Sequence, residues 1–299
     1  MRIFVTGASG FIGTALVKEL FAHGHQVLGL ARSDAAAATV AAMGAAVLRG
    51  SLEDLDSLRR GAADSDGVVH TAFIHNFADL AASGAADRHA ITAIGDVLAG
   101  SGRPLVITSG TALLSPGRVS TEADMATPTG VAAFRAPSET LALGLAERGV
   151  RASVVRLPPS VHGDGDVHGF VPRLIALARD KGAAAYVGDG QNRWAAVHRL
   201  DAARLFRLAV EKGVGGHCYH GVGDAGVPAR DIATVIAQKL GLPLESKTGE
   251  QIDDHFGWIG HFFALDCPSS SARTQAELGW RPEEAGLLDD MAQGHYFIA

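Results

Sequence analysis

Residues 6–13 read TGASGFIG, directly after an apolar run at residues 2–6 and directly before another apolar stretch. The glycines of this segment have the spacing GxxGxxG. Glycine permits a left-handed turn, lets backbone N–H groups approach a phosphate, and allows a helix to pack closely on a strand. At a first strand–helix junction this spacing predicts a turn that binds a dinucleotide, with a plain strand–helix turn as the alternative. The residues that the turn would offer are Gly7, Ser9, Gly10, Phe11, Ile12 and Gly13.

Short β-branched runs alternate with longer segments rich in alanine and leucine. This alternation is typical of a parallel sheet that is covered by helices on both faces. We predict an α/β fold: a doubly wound parallel sheet (Rossmann) over residues 1–160 and a smaller C-terminal substrate-binding lobe over residues 161–299, with residues 196–212 packing back on the sheet. The predicted strands are residues 2–6, 26–31, 45–49, 67–71, 105–108 and 152–157, and the predicted helices include residues 12–23, 86–98, 131–148, 201–212, 229–240 and 287–294.

The composition excludes several classes of protein. The 299 residues carry a net charge of −6, whereas a nucleic-acid-binding protein needs a concentrated basic surface. No apolar stretch reaches the roughly 20 residues of a membrane-spanning helix, and the N-terminal run is too short for a signal peptide. The two cysteines, Cys218 and Cys267, lack CxxC spacing. We expect a cytoplasmic protein that binds a small molecule, with neither nucleic acid nor membrane as a partner.

The end of the second predicted strand indicates which dinucleotide is bound. An NAD-binding protein would carry an acidic residue there for the ribose 2′-hydroxyl, but this sequence has Arg32 and Ser33. A guanidinium pairs with a 2′-phosphate, and a serine hydroxyl donates to the same group. We therefore expect NADP(H) as the cofactor. In the alternative hypothesis Arg32 lies in solvent and Asp34 serves the ribose.

Four further segments carry a resemblance that covers nearly the whole chain. They are GSL at residues 50–52, VVHTA at residues 68–72, RLPPSVHG at residues 156–163 and AVHRLD at residues 196–201. Together with the glycine turn, they resemble the extended or atypical short-chain dehydrogenase/reductase superfamily, and most closely its NAD-dependent epimerase/dehydratase group.

The resemblance implies roles for several residues. Ser51 and Leu52 would flank the adenine, and Thr71, Ala72 and Phe73 would line the ribose and nicotinamide. The residues that would cover the nicotinamide are Leu157, Pro158, Pro159 and Ser160. The chain after residue 163 would form much of the substrate pocket. The helices at residues 86–98 and 131–148 would form a two-fold interface, so that the resemblance also implies a homodimer.

Substrate-binding candidates lie in the predicted lobe. His168 belongs to the loop after the sixth strand, and Arg193 and Trp194 end a segment, residues 188–194, that resembles a loop which helps to close the active site in the superfamily. We expect these side chains to contact the substrate. A β-turn with Trp194 as a core anchor is the structural alternative.

The catalytic half departs from the superfamily, whose members use a YxxxK pair on the helix after the fifth strand. The tyrosine gives or takes the substrate proton, and the lysine lowers the tyrosine pKa. No tyrosine of this chain begins such a motif, and Arg135 and Glu139 stand in the tyrosine and lysine places. Arg135 can hold the cofactor or polarise a substrate carbonyl as hydride arrives. The alternative is an ordinary i,i+4 ion pair on a helix surface.

Without the tyrosine, another side chain or water must supply the proton. Ser109 and Thr111 follow the fifth strand, where the superfamily keeps a hydroxyl, and His162 and His168 lie beyond the sixth. Histidine suits proton donation near neutral pH, although a histidine in a loop rich in glycine and aspartate is more often a turn residue. The alternating histidines and aspartates of residues 162–168 resemble metal ligands, but their Gly–Asp steps are ordinary turn chemistry, so we expect no metal.

These observations favour an NADP(H)-dependent oxidoreductase that reduces a small or medium carbonyl compound, or an imine, by hydride transfer. Its atypical catalytic set is Ser109, Thr111, Arg135 and His162. Two alternatives remain open. One is a non-catalytic NADP(H)-sensing protein, and the other is a sugar-nucleotide epimerase or dehydratase, a chemistry that depends most on the missing Tyr/Lys pair.

Overall fold

A seven-stranded parallel sheet forms the centre of the computed structural model, which describes residues 1–76 and 79–298. The strands in these ranges are β1 (Arg2–Thr6), β2 (Gln26–Ala31), β3 (Ala46–Arg49), β4 (Gly67–His70), β5 (Pro104–Gly110), β6 (Arg151–Leu157), β7 (Ser160–His162), β8 (Ala184–Val187), β9 (Arg193–His198), β10 (Cys218–His220), β11 (Asp224–Pro228) and β12 (Leu244–Lys247). The central sheet has the order β10-β6-β5-β4-β1-β2-β3. Strands β11, β9 and β7 form a second sheet, and β12 pairs with β8.

Helices connect and cover these strands. They are α1 (Phe11–Ala22), α2 (Asp34–Ala42), α3 (Leu55–Ala63), α4 (Leu80–Leu98), α5 (Ala136–Gly144), α6 (Phe170–Lys181), α7 (Arg199–Lys212), α8 (Ala229–Leu240), α9 (Gln251–Phe256), α10 (Ile259–Phe263), α11 (Ala272–Leu278) and α12 (Leu287–Ala292). Short 3-10 helices occupy Thr111–Leu113, Gly130–Phe134, Leu145–Arg148 and His295–Phe297. Across the described ranges, none of the helices combines the length and apolarity that a bilayer crossing requires.

The predicted doubly wound α/β sheet is confirmed. Neighbouring strands pair in parallel, with Phe4 opposite both Leu28 and Val68, and their nearly continuous apolar sequences suit burial on both faces. The strand order changes direction at β1, between β4 on one side and β2 on the other. At such a point the connections leave in opposite directions and open a crevice at the carboxyl ends of the strands. The glycine turn lies at this crevice.

Apolar clusters cover the central sheet and extend beyond it. On one face α7 packs against α1, through residues that include Leu16 and Phe206. Another cluster, which includes Leu174, Trp194 and Ile236, joins α6, β9 and α8 outside the sheet. Strand β10 pairs with β6 at the sheet edge. The C-terminal half of the chain therefore contributes both a helix and a strand to the central unit.

The helix predicted over residues 131–148 is interrupted. A 3-10 helix at Gly130–Phe134 is followed by Arg135 and then by α5, which begins at Ala136. Pro137 lies in the first turn of α5, where its missing N–H costs no hydrogen bond and its fixed φ suits a helix start. Arg135 is therefore the N-cap residue of α5, and its carbonyl oxygen accepts a hydrogen bond from Glu139 N over 3.4 Å.

A buried polar set joins α5 to the sheet. Arg156 of β6 donates from Nε to Glu139 Oε2 over 3.1 Å, and its Nη2 donates to the other carboxylate oxygen. Its Nη1 lies 3.3 Å from His220 Nε2, and His220 Nδ1 lies 2.9 Å from the carbonyl oxygen of Ser270. A neutral His220 with its hydrogen on Nδ1 satisfies both contacts. Burial, reinforced by the Arg156 charge, accordingly holds the pKa of His220 well below its ordinary value. Glu139 therefore pairs with Arg156 and not with Arg135 on a helix surface.

We expect Glu139→Ala to lower the free energy of unfolding by about 3–5 kcal/mol, because Arg156 would stay buried without its counter-charge. Urea unfolding followed by circular dichroism measures this loss. The double variant Glu139→Leu, Arg156→Met removes both charges and should recover most of the stability. A single variant as stable as the original chain would contradict the assignment of this pair as a buried ion pair.

Candidate active site

The carboxyl ends of β1, β2, β3 and β4 enclose a cavity of about 440 Å³, which we call the cofactor cleft. It brings together residues from the glycine turn and from the ends of three other strands. The lining residues are Gly7, Ser9, Gly10, Phe11, Ile12, Gly13, Leu30, Arg32, Ala36, Gly50, Ser51, Leu52, Glu53, Thr71, Ala72, Phe73, Ile74 and His75. The cleft thus collects the whole predicted glycine turn, both predicted adenine contacts and the predicted residues after β4.

The glycine turn is shaped by close backbone contacts. A Cβ atom at Gly13 would lie 2.0 Å from the carbonyl oxygen of Gly7, and one at Gly7 would lie 2.8 Å from Thr71 Oγ1. Gly7 also has φ +74°, a conformation that side chains disfavour. Gly10 precedes α1, and no side chain caps the helix there. The first N–H groups of this helix therefore border the cleft and fit the pyrophosphate of a dinucleotide.

At the other end of the cleft, Arg32 is exposed and lines the wall close to α2. Ser33 is the N-cap residue of α2, and its hydroxyl oxygen accepts a hydrogen bond of 3.2 Å from Ala36 N. Asp34 pairs with Arg49 over 2.8 Å, and Arg49 also donates to the carbonyl oxygen of Ser33. The acidic side chain that could serve a ribose is therefore already paired, whereas Arg32 faces the cleft.

Arg135 lies beside the inner end of the cleft. Its Nη2 donates a hydrogen bond of 2.8 Å to the carbonyl oxygen of Thr108 near the end of β5. Its Cζ lies 3.9 Å from the centre of the Phe73 ring, a cation–π arrangement. Burial lowers the pKa of this guanidinium, and the negative charges of Asp87 and Glu139 oppose that shift. An arginine guanidinium nevertheless stays protonated in proteins, so the group is a cation.

The predicted hydroxyl groups lie at the carboxyl end of β5, Ser109 within the strand and Thr111 just after it. Ser109 and Thr111 are both buried, and neither Ser109 Oγ nor Thr111 Oγ1 has a hydrogen-bond partner among the described residues. A buried hydroxyl without a partner is costly, which makes it a candidate for contact with a ligand or water. Ser109 directly follows Thr108, whose carbonyl oxygen holds Arg135.

A buried hydrogen-bonded chain supports this region, and no pattern in the sequence predicted it. His70 Nδ1 lies 2.8 Å from Thr6 Oγ1, and His70 Nε2 lies 3.1 Å from Asp87 Oδ1. Thr6 Oγ1 also accepts a bond from Ala72 N over 3.3 Å. Burial tends to raise the pKa of Asp87, but the hydrogen bond from His70 and the charge of Arg135 outweigh it, so the pKa is lowered. This chain ties the ends of β1 and β4 to α4.

A second cavity, of about 670 Å³, continues the cofactor cleft towards the C-terminal half of the chain. It shares four turn residues and His75 with the cofactor cleft, and it adds Pro159, His168 and Trp258. Sequence reasoning missed His75, although its position just after β4, beyond the predicted Phe73, was a usable signal. Burial and the nearby Arg135 charge lower the pKa of His75. We call this cavity the junction cavity.

Other predicted site residues lie away from these cavities. Leu157, Pro158 and Ser160 are buried beside Pro159. His162 is buried, with Nδ1 2.9 Å from Asp290 Oδ2. Pro159 lines the junction cavity. Leu157, Pro158, Ser160 and His162 are not among the described residues that line the cofactor cleft or the junction cavity.

The two remaining substrate candidates have structural partners. Arg193 donates to both carboxylate oxygens of Asp266, from Nε to Oδ1 and from Nη2 to Oδ2, and each hydrogen bond is 3.0 Å long. Trp194 is 0% exposed, so that it is the core anchor of the structural alternative and has no surface for direct contact with a substrate. Its ring packs on Phe170 and Phe262, through which it can act only as a support. The physical reason is that apolar side chains from α6 and α10 cover the indole on both sides.

The fold and the cleft define a Rossmann-type dinucleotide-binding protein. Residues 3–220 match the model of the NAD dependent epimerase/dehydratase family, and the chain belongs to that family. It is thus an NAD(P)-dependent oxidoreductase of the epimerase/dehydratase type.

Individual relatives extend over most of the chain. An uncharacterized protein of Schizosaccharomyces pombe is 47% identical over 298 residues, covering 99% of this chain and 100% of that protein. A 4-hydroxy-2-methyl-3-oxo-4-farnesyl-3,4-dihydroquinoline-1-oxide ketoreductase of Stigmatella aurantiaca is 32% identical, covering 94% of this chain and 81% of that protein. A dTDP-glucose 4,6-dehydratase of Streptomyces venezuelae, solved with NAD and TYD bound, has a TM-score of 0.80 at 22% identity, covering 99% and 96% of the two chains. That last similarity shows the fold alone.

We expect Gly13→Ala to weaken NADPH binding roughly tenfold or more and to lower the free energy of unfolding by about 1–3 kcal/mol. The added Cβ would meet the Gly7 carbonyl, and the backbone must shift where the pyrophosphate would bind. Fluorescence titration with NADPH and thermal unfolding measure the two effects. Gly144→Ala is the matched control, since a Cβ at Gly144 in α5 meets nothing within 4 Å. Equal affinities in the two variants would show that the turn does not hold the cofactor.

Proposed function

We propose that the protein is an NADP(H)-dependent reductase that converts a ketone into a secondary alcohol, with Arg135 in place of the usual catalytic tyrosine. The observation that carries the proposal is the position of the Arg135 guanidinium, which is held by Thr108 and Phe73 beside the cofactor cleft. The ketoreductase named among the relatives supports a carbonyl substrate. An imine is the other substrate that the same chemistry can reduce.

The cofactor would be held along the cleft by residues that fit it. The N-terminus of α1 and the glycine turn would bind the pyrophosphate, and Arg32 would pair with a 2′-phosphate. Ser51 and Leu52 would contact the adenine, while Thr71 to Phe73 and Pro159 would border the nicotinamide half. When bound, the reduced nicotinamide supplies a hydride, which carries two electrons to the carbonyl carbon.

Arg135 stabilises the negative charge that develops on the carbonyl oxygen as the carbon accepts the hydride. A cation that is already fixed by Thr108 and by the Phe73 ring needs little reorganisation, and its low-dielectric surroundings strengthen the attraction. Arg135 itself stays protonated, so it is not the proton donor. The oxygen takes its proton from Ser109 or Thr111, whose buried hydroxyls are adjacent to the strand end that holds Arg135, and solvent then restores that proton.

The two histidines predicted near the site have different places in this proposal. His168 lines the junction cavity and is a candidate substrate contact. His162 would act only indirectly, through the loop that it joins to Asp290 and α12. We extend the proposal to a two-lobed arrangement and to a cytoplasmic homodimer that uses α4 and α5, on the resemblance to the superfamily. Both cysteines are free and buried, which suits a reducing compartment.

We expect Arg32→Ala to weaken NADPH binding about 10- to 100-fold while leaving NADH binding nearly unchanged, because only NADPH carries the 2′-phosphate that the guanidinium would pair with. Calorimetric titration with both cofactors measures the ratio. Arg59→Ala provides a matched loss of an exposed arginine, since Arg59 pairs with Asp56 on α3. A stronger affinity of the original chain for NADH than for NADPH would overturn the NADP(H) assignment.

We expect Arg135→Ala to lower kcat about 100- to 1,000-fold with an unchanged Kd for NADPH, because the variant loses charge stabilisation at the carbonyl oxygen. Arg135→Lys should retain part of the rate. Arg230→Ala, which removes another arginine–aromatic contact with Tyr186, is the matched control. Loss of NADPH absorbance with a ketone and imine panel gives the rates. Tight NADPH binding with no turnover on any compound would favour the cofactor-sensing alternative.

A further inference from the structure

A cavity of about 770 Å³ lies beyond the junction cavity, between the segment after β5 and helices α6 and α10. We call it the apolar cavity. Its wall includes Leu113, Leu114, Ala132, Phe170, Phe262 and Leu265. The volume is in the range of sites that enclose a whole small-molecule ligand. The inference below rests on the proposed function, because it concerns the substrate of the same reaction.

The chemistry of the wall is almost uniformly apolar. Among the described residues that line the cavity, none is a lysine, arginine, aspartate or glutamate. The single histidine, His261, lies at the rim, with a side chain that is 79% exposed and 3.2 Å from Asp253. The other lining residues that carry a polar atom, within the ranges that the structure describes, are Ser115, Thr127, Thr129, Trp258 and Cys267. A charged group that entered this cavity would lose its hydration without gaining a counter-ion.

An aromatic cluster gives one wall of the cavity its shape. Phe170 and Phe262 stack with their ring centres 4.7 Å apart, and the buried Trp194 contacts both rings edge to face. Phe263 packs on the far side of Trp194, with ring centres 5.0 Å apart. Phe170 begins α6, Phe262 and Phe263 end α10, and Trp194 lies in β9, so all four rings are on regular elements and have few rotatable bonds. The apolar surface is therefore formed before any ligand arrives, which reduces the entropy cost of binding.

The apolar cavity is connected to the reaction centre from two sides. It shares Phe170 and Trp258 with the junction cavity, and Trp258 is 53% exposed. Its wall also includes Leu113, two residues after Thr111, and Ala132, three residues before Arg135. A ligand whose body fills this cavity would thus have one end close to the hydroxyl and guanidinium groups that would act on its carbonyl.

We propose that the substrate is an uncharged ketone whose carbonyl carries an extended apolar group, and that this group occupies the apolar cavity. The pyrophosphate of a nucleotide sugar does not suit the apolar cavity, because it carries negative charges and the described residues of this wall include neither lysine nor arginine. The apolar group contributes binding energy through burial, in proportion to the area removed from water.

The test uses a series of ethyl 3-oxoalkanoates, from 3-oxobutanoate to 3-oxodecanoate, with NADPH. We expect kcat/KM to rise roughly tenfold for each two added carbons until the cavity is filled, as expected for burial of two methylene groups. Leu265→Asp places a carboxylate in the wall and should abolish this dependence on chain length. Val214→Asp makes the same kind of change at a position 49% exposed and outside the cavity, and should leave the series unchanged.

A binding measurement separates this inference from the proposed function. The protein with NADP⁺ cannot reduce a ketone, so calorimetry can measure the affinity of ethyl 3-oxodecanoate without turnover. NADP⁺ is able to oxidise a sugar hydroxyl, so UDP-glucose is titrated while the absorbance of NADPH is followed in parallel. Tighter binding of the decanoate ester than of the butanoate ester would support the apolar site, whether or not NADPH reduces the ester. A failure of NADPH to reduce an ester that binds in this way would overturn the reductase proposal alone. Equal rates along the series, or tighter binding of UDP-glucose, would overturn the substrate class and leave the reductase proposal standing.

Discussion

The contact between Gly13 and the Gly7 carbonyl oxygen is the constraint on which the rest of the site depends. With only a hydrogen at Gly13, α1 can lie directly against the turn that ends β1, and a Cβ in that place would lie 2.0 Å from the oxygen. The close approach places the uncapped start of α1 at the crevice where the strand order changes direction. The position of every other wall of the cofactor cleft is set relative to this turn.

The start of α5 carries two charges whose side chains have different partners. Arg135 caps this helix one turn before Glu139, and Glu139 N donates to the Arg135 carbonyl oxygen over 3.4 Å. Even so, Glu139 neutralises Arg156 inside the fold, and Arg135 reaches Thr108 and Phe73 at the cleft. One charge thus stabilises the packing of α5 on the sheet, and the other lies beside the cofactor cleft.

The cavities along the site differ in character, and the difference follows the chain. The cofactor cleft combines the glycine turn and the uncapped start of α1 with Arg32 and with apolar side chains such as Leu30 and Phe73, which suits the charged and the aromatic parts of a dinucleotide. The apolar cavity is built from α6, α10 and the segments around the 3-10 helices, where aromatic and aliphatic side chains meet. The junction cavity joins them through Phe170, Trp258 and His75. A site with this gradient orients a ligand by its polar and apolar ends.

The sequence by itself determined the parallel sheet, the glycine turn and Arg32 at the end of β2, because apolar periodicity and glycine spacing act over a few neighbouring residues. Only the tertiary structure decided that Glu139 pairs with Arg156, that Trp194 is fully buried, that His75 joins two cavities, and that β10 adds an edge strand. These features depend on contacts between segments far apart in the chain, and neither spacing nor composition specifies which side chain meets which partner.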